Sequence, residues 1–276
     1  MSNVFSFNRL RNYFRYDLKT LQGNIGMMVL LLGLAPVIIY VFYMLFGSLF
    51  SGELLTGAHM HGPALGVRGG FFITTTLVFA ILFPSRAYGF LTEKKAGSSW
   101  LMLPASRGEK FVSMLLNSLV IVPAVFFLLY FCSDWLVCLL DRTCGNALLT
   151  MRLNGQDGLI RGDDTLILVA NGFWILYALF AEYVAIFLLG GLLFRKWKIV
   201  GTIAALFLLG TVSSTIIGGA FAHFDIVSFG ERLSGWVSRH ADSINFWLNA
   251  FIDLKVGLVL AACGTGIWFR LKTLKH

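Results

Sequence analysis

The chain has 276 residues, 57% of them apolar and only 13% charged, with a formal charge of +8. A soluble domain carries roughly 25% charged residues, so this composition excludes an ordinary soluble enzyme and predicts a polytopic membrane protein. The basic excess lies in short stretches beside apolar runs, where it meets anionic lipid headgroups, so it is not the footprint of a nucleic-acid partner.

In chain order, residues 1–27 come first. Phe7, Leu10, Phe14, Leu18 and Leu21 recur at spacings of three and four, with Arg9, Arg11, Arg15 and Lys19 mostly on other faces. This predicts a basic amphipathic helix in the cytoplasmic interface, its Phe/Leu face in the acyl boundary. It serves either as a plain topology anchor or as an elbow that a cytoplasmic partner can push. The apolar run 28–50 follows, too long for the apolar core of a signal peptide and preceded by its own pattern, so it reads as a retained first span. Pro36 inside it is a tolerated kink. The loop 51–69 is glycine-rich and holds His59-Met60-His61. Such a triplet offers donors for a copper-like metal. A lone His-x-His in a loop reads as solvated, and no metal site is expected.

The second run is 70–90, ending in Pro84-Ser85-Arg86, with Arg86 near enough to the inner end to snorkel. The longest inner connection, 92–111, carries a short apolar piece, Trp100-Leu101-Met102-Leu103, stopped by Pro104 and flanked by charges. Ser106-Arg107-Gly108-Glu109 has the form of a capping box for the next helix. A short apolar knob presented to the cytosol wants a protein groove or the membrane surface. The third run, 112–139, contains Pro123, and the outer loop 140–165 is polar. Of the four cysteines, Cys132, Cys138 and Cys144 cluster at the outer end of the third run, and Cys263 is an apolar filler inside the last run. A Cys138–Cys144 bridge stays open in an oxidising compartment.

The fourth run, 166–194, contains Glu182, and the sixth, 247–269, contains Lys255. A carboxylate at mid-membrane costs roughly 2.5–3.5 kcal/mol on insertion scales and needs a partner. Both runs point outward to inward, so a Glu182–Lys255 pair is allowed by depth. It would be either a structural pair or a charge on a gating path. The fifth run, 199–222, places Gly210, Ser214 and Gly218 four apart, a small-residue face open to close helix approach. The stretch 221–246 mixes aromatics with charges and reads as an outer interfacial or re-entrant segment.

All six runs reach the roughly 20 residues a helix needs to span a bilayer. Lys and Arg concentrate before the first run, between the second and third, between the fourth and fifth, and after the sixth. By the positive-inside rule both termini face the cytoplasm. The expected fold is all-α, a single membrane domain over 1–276 with six transmembrane helices and an N-terminal amphipathic helix.

Leu103-Pro104-Ala105-Ser106, followed by Glu109-Lys110-Phe111, resembles the inner loop of bacterial ABC transporter permeases of the type-2 export family, the transmembrane subunits of type V exporters. The layout of the whole chain is similar to that family's. The resemblance implies a permease subunit of the bacterial cytoplasmic (inner) membrane, dimeric with itself or with a similar chain. A separate ABC ATP-binding subunit would grip the coupling residues Trp100, Leu101, Met102, Leu103, Pro104 and Ser106 and the elbow residues Phe7, Leu10, Phe14 and Leu18. Gly210, Ser214 and Gly218 would suit the dimer seam, and Thr75, Thr211 and Ser213 the translocation path. For these hydroxyls, ordinary interhelical hydrogen bonding is the competing reading. No Gly-x-x-x-x-Gly-Lys-Ser/Thr motif occurs, so ATP and Mg would belong to the partner, and the chain is expected to bind no cofactor and to have no catalytic residue of its own. The aromatic, weakly charged spans fit a hydrophobic or amphipathic cargo. Neither the His-Glu-x-x-His of a metalloprotease nor a Gly-x-Ser-Gly nucleophile site is present. The remaining alternatives are a secondary carrier and a non-transporting scaffold or signalling protein.

Overall fold

The computed structural model describes residues 6–51, 63, 65–93, 97, 100, 102–141, 144, 148, 172–221 and 241–273. Among them every regular element is a helix. In chain order these are α1 (Phe7–Gly33), α2 (Ala35–Ser51), α3 (Leu65–Tyr88), α4 (Arg107–Leu116), α5 (Val122–Leu140), α6 (Gly172–Leu193), α7 (Lys198–Phe221) and α8 (Ala241–Thr273). A 3₁₀ turn, Gly89–Thr92, extends α3, and a π turn, Asn117–Ile121, joins α4 to α5. Five helical stretches are long and apolar enough to cross a membrane, and six if the bent pair α1–α2 is one crossing. The chain is therefore a multi-pass, all-helical membrane protein. The His59-Met60-His61 triplet and residues 222–240 of the 221–246 segment lie outside the described residues, and 241–246 form the start of α8.

The chain divides into two compact units, residues 1–87 with 103–157, and residues 88–102 with 158–276. In the first, α1 packs along α4 and α5. The register is parallel, because the contacts climb together: Ser6 to Glu109, Asp17 to Ser113 and Asn117, Gly33 to Ser133. Tyr40 of α2 then reaches Asp141. The buried stripe of α1 is Tyr13, Asp17, Leu21, Ile25, Val29 and Gly33, one residue per turn. At its top the helices nearly touch, since a Cβ on Gly33 would lie 2.7 Å from Leu129 Cβ.

The boundary expected for the N-terminal helix changes. The helix forms, but it does not end at residue 27. It runs on through Gly33 beside a helical stretch, Arg107–Leu140, of 34 residues. At 1.5 Å per residue that is about 50 Å, against about 30 Å of hydrocarbon, so both helices project beyond the membrane on their polar side. The break comes at Leu34, where the pair bends by 45°. Pro36 is the cause, for it has no N–H to return to the preceding turn. Of Phe7, Leu10, Phe14 and Leu18, only Phe7 is exposed, at 79%, and the other three are half-buried.

α3 meets α5 through large side chains. Phe79 stacks on Phe126 with ring centroids 4.2 Å apart, and Phe72 packs among Phe127, Tyr130 and Phe131. Such aromatic pairs add about 0.5–1.5 kcal/mol beyond their buried area.

The second unit is built by close backbone approach. α6 is its hub, touching α7, α8 and the 3₁₀ turn. α7 returns antiparallel after the tight turn 194–197, in which Trp197 takes a left-handed φ of 56°. A Cβ on Gly190 would collide with Thr202, and one on Gly201 would lie 2.9 Å from the Phe194 ring. α8 runs parallel to α6, with Glu182 at Lys255, Leu189 at Gly266 and Leu192 at Arg270. Helices in lipid associate through such small-residue contacts.

Candidate functional site

The inner segment after α3 is pinned at its start. Lys198 Nζ donates to Gly89 O at 2.8 Å and lies 3.4 Å from a Glu93 carboxylate oxygen. A Cβ on Gly89 would sit 3.2 Å from Lys198 Cδ, so glycine here leaves the ammonium its path. Arg270 Nε donates to Leu192 O in the same way, at the last turn of α6. Arg270 thereby caps a carbonyl at the C-terminus of α6, while Lys198 shares Gly89 O with the Thr92 hydroxyl. Gly97 and Trp100 are helical and buried, and Met102 is 76% exposed. Leu101 lies outside the described residues.

From Leu103 onward the segment belongs to the first unit. Leu103, Ala105 and Ser106 are half-buried and Pro104 is exposed. The capping box expected from the sequence is formed: Glu109 N–H donates to Ser106 Oγ at 3.2 Å and Ser106 N–H to Glu109 Oε2 at 2.8 Å. The carboxylate does more than cap. Its Oε1 accepts the backbone N–H of Ser6, the N-cap of α1, at 2.8 Å, and lies 3.4 Å from the Arg9 guanidinium. Glu109 is wholly buried. One carboxylate thus ties the end of the inner loop to the start of the N-terminal helix. One and two turns higher, buried Asp17 accepts Ser113 Oγ–H and Asn117 Nδ2–H, each at 2.8 Å on the same oxygen.

Two further ion pairs each join two helices within one unit. Lys255 Nζ is 2.9 Å from Glu182 Oε1 and 3.0 Å from Oε2, so the two residues singled out by depth do meet. The pair is asymmetric, with the Glu182 side chain 12% exposed and that of Lys255 51%. In the first unit, Arg68 of α3 forks onto Asp134 of α5. Nε and Nη2 both reach Oδ1 (3.0 and 2.8 Å), Nη2 also reaches Oδ2 (2.7 Å), and Nη1 donates to Cys144 O. Both side chains are buried. A cavity of about 10 Å³ beside them, lined in part by Tyr40, Tyr130 and Asp134, is near the minimum for one water.

Arg68 falls in the loop 51–69 expected from the sequence but lies in α3, and Asp134 lies within α5. An acid inside an apolar run must find a cation or a donor, and an arginine at matching depth on the neighbouring span was the signal available. The four cysteines are unbridged.

The other predicted residues are spread apart on their own elements. Thr75 is buried on α3 and hydrogen-bonded to Tyr130. Thr211 and Ser213 are exposed on α7, where Thr211 donates to Leu208 O and Ser213 to Gly210 O of their own helix. Gly210 and Ser214 are likewise exposed, and Gly218 lies in the same helix. That face makes no close helix contact at Gly210, where a Cβ would meet open space; the tight approaches fall at Gly190, Gly201 and Gly33.

Together these features define a polytopic helical membrane protein with buried polar ties between α1 and α4 and an ion pair between helices in each of its two units. No protein-family model, no curated protein and no solved structure matches the chain.

Proposed function

We propose that the chain is the transmembrane permease subunit of an ATP-driven exporter in a bacterial cytoplasmic membrane, working as a homodimer or pseudo-dimer with a separate ABC ATP-binding subunit. The observation that supports this best is the Glu109 tie. A partner that pushes on the inner loop also pulls on α1, because Ser106 and Ser6 share one carboxylate. Met102, exposed beside buried Trp100, is the side chain such a partner would grip. ATP and Mg stay with the partner, bond-breaking is not asked of this chain, and the cargo is hydrophobic or amphipathic.

The test is a mild-detergent pull-down of the tagged chain with mass spectrometry, followed by ATPase and transport assays in vesicles. A stoichiometric ATP-binding subunit is expected. Replacing Leu101 and Leu103 by Asp should leave insertion intact and separate ATP hydrolysis from transport. An intact, folded chain with no such subunit would remove the permease reading. The Glu182–Lys255 pair favours a second reading, a secondary carrier, in which transport would follow an ion gradient without any ATPase and would fail in Glu182→Gln.

A further inference from the structure

Between α1 and the helix that follows the π turn lies a groove of about 520 Å³. That is within the 300–1,000 Å³ usual for a small-molecule site. One wall is α1, from Arg15 and Lys19 at its inner end to Val29 and Leu30. The other is Ile121, Val125 and Leu129, spaced four apart so that they follow one another along one face. The π turn that ends at Ile121 sets this face after α4. Gly26 widens the middle. A Cβ there would meet only Gln22 Cγ, at 3.6 Å, so the absent side chain leaves room.

The charges sit at one end only. Arg15 and Lys19 are exposed, and neither takes part in an ion pair among the described residues. From Arg15 to Leu30 the helix rises about 22 Å. One leaflet with its headgroups is about 20–22 Å deep, half of a 40–45 Å bilayer. The groove therefore matches one leaflet in length, with two exposed cations where the headgroups lie and an apolar floor beyond. The distribution of Lys and Arg along the chain assigns that end to the cytoplasm.

We propose that this groove binds an anionic phospholipid of the inner leaflet, its phosphate on Arg15 and Lys19 and an acyl chain between Val29 and Val125. Basic pockets between transmembrane helices on the cytoplasmic side recognise such headgroups. The site does not depend on the permease reading, since nothing in it requires an ATPase.

The experiment is native mass spectrometry of the purified full-length chain with added phosphatidylglycerol or phosphatidylcholine. The wild type should retain one phosphatidylglycerol and prefer it over phosphatidylcholine by about 30-fold, roughly fivefold for each cation. Arg15→Gln with Lys19→Gln should abolish the preference, Gly26→Phe should expel both lipids, and Arg11→Gln, outside the groove, should change neither. The two polar changes sit on exposed positions, so the charge arm can be read even if Gly26→Phe fails to fold. Equal retention of the two lipids, or a preference unmoved by Arg15→Gln with Lys19→Gln, would overturn the proposal. So would a lipid-free dimer broken by Gly26→Phe, which would place a second copy of the chain in the groove.

Discussion

Arg68 and Asp134 form the most fully buried ion pair among the described residues, and their energetics are lopsided. Removing one partner strands a charge, typically costing about 3–5 kcal/mol, whereas removing both with apolar replacements is often close to neutral. Arg68→Leu and Asp134→Leu should each lower the unfolding temperature in detergent sharply, and the double variant should recover most of the loss. Purely additive losses would mean that the pair is not coupled. Near it, burial, reinforced by the adjacent Asp141 carboxylate, pushes the Cys144 thiol up to about 11. The thiolate is the reactive form. Maleimide labelling of Cys144 should therefore be slow at pH 8 and rise about tenfold per pH unit to pH 10, while a thiol introduced at exposed position 102 levels off. Legibility at this scale depended on where a charge falls in its run. Glu182 and Lys255 interrupt long apolar stretches, so depth alone matched them. Arg68 falls in the expected loop 51–69 and Asp134 lies within the outer part of the third run, so run length alone does not pair them. Asp17 sits among cations in the sequence, and only the fold brings Ser113 and Asn117 to it.

The helices themselves were legible from apolar run length, and the cap at Ser106 from its motif, because both signals are local. Which faces meet was not. The Gly210, Ser214 and Gly218 spacing shows a face that can be approached, while close approach occurs where a glycine opposes a specific neighbour, as Gly190 opposes Thr202. Gly190→Ala should cost about 1–3 kcal/mol by overpacking. Thr202→Ala in the same chain should restore stability, and thermal unfolding of the two variants checks this. The inner ends of α1 and α4 depend on Glu109 in a comparable way. Hydrogen bonds to a charged group contribute about 1.5–3 kcal/mol. Glu109→Ala should raise amide exchange in the first turns of α1 by at least about tenfold, with little change in α8. Unaltered exchange there would remove the tie as a structural element.

Over the whole molecule, the distribution of Lys and Arg and the cation-capped C-terminus of α6 agree on which side is basic. Met102→Cys should react with an impermeant thiol reagent only from the cytoplasmic face, and Leu140→Cys, exposed at the far end of α5, only from outside. The reverse pattern would invert the topology. The parallel pairing of α1 with α4 and α5 has a further consequence, one of time. Ser6, Asp17 and Gly33 hydrogen-bond to residues 96 to 103 positions later in the chain. A ribosome adding about 5–20 residues per second needs roughly 5–20 s to deliver them. For that interval a newly made α1 carries a carboxylate and an uncapped helix start with no protein partner. Until the third crossing arrives, water, headgroups or the insertion machinery must serve those groups in its place.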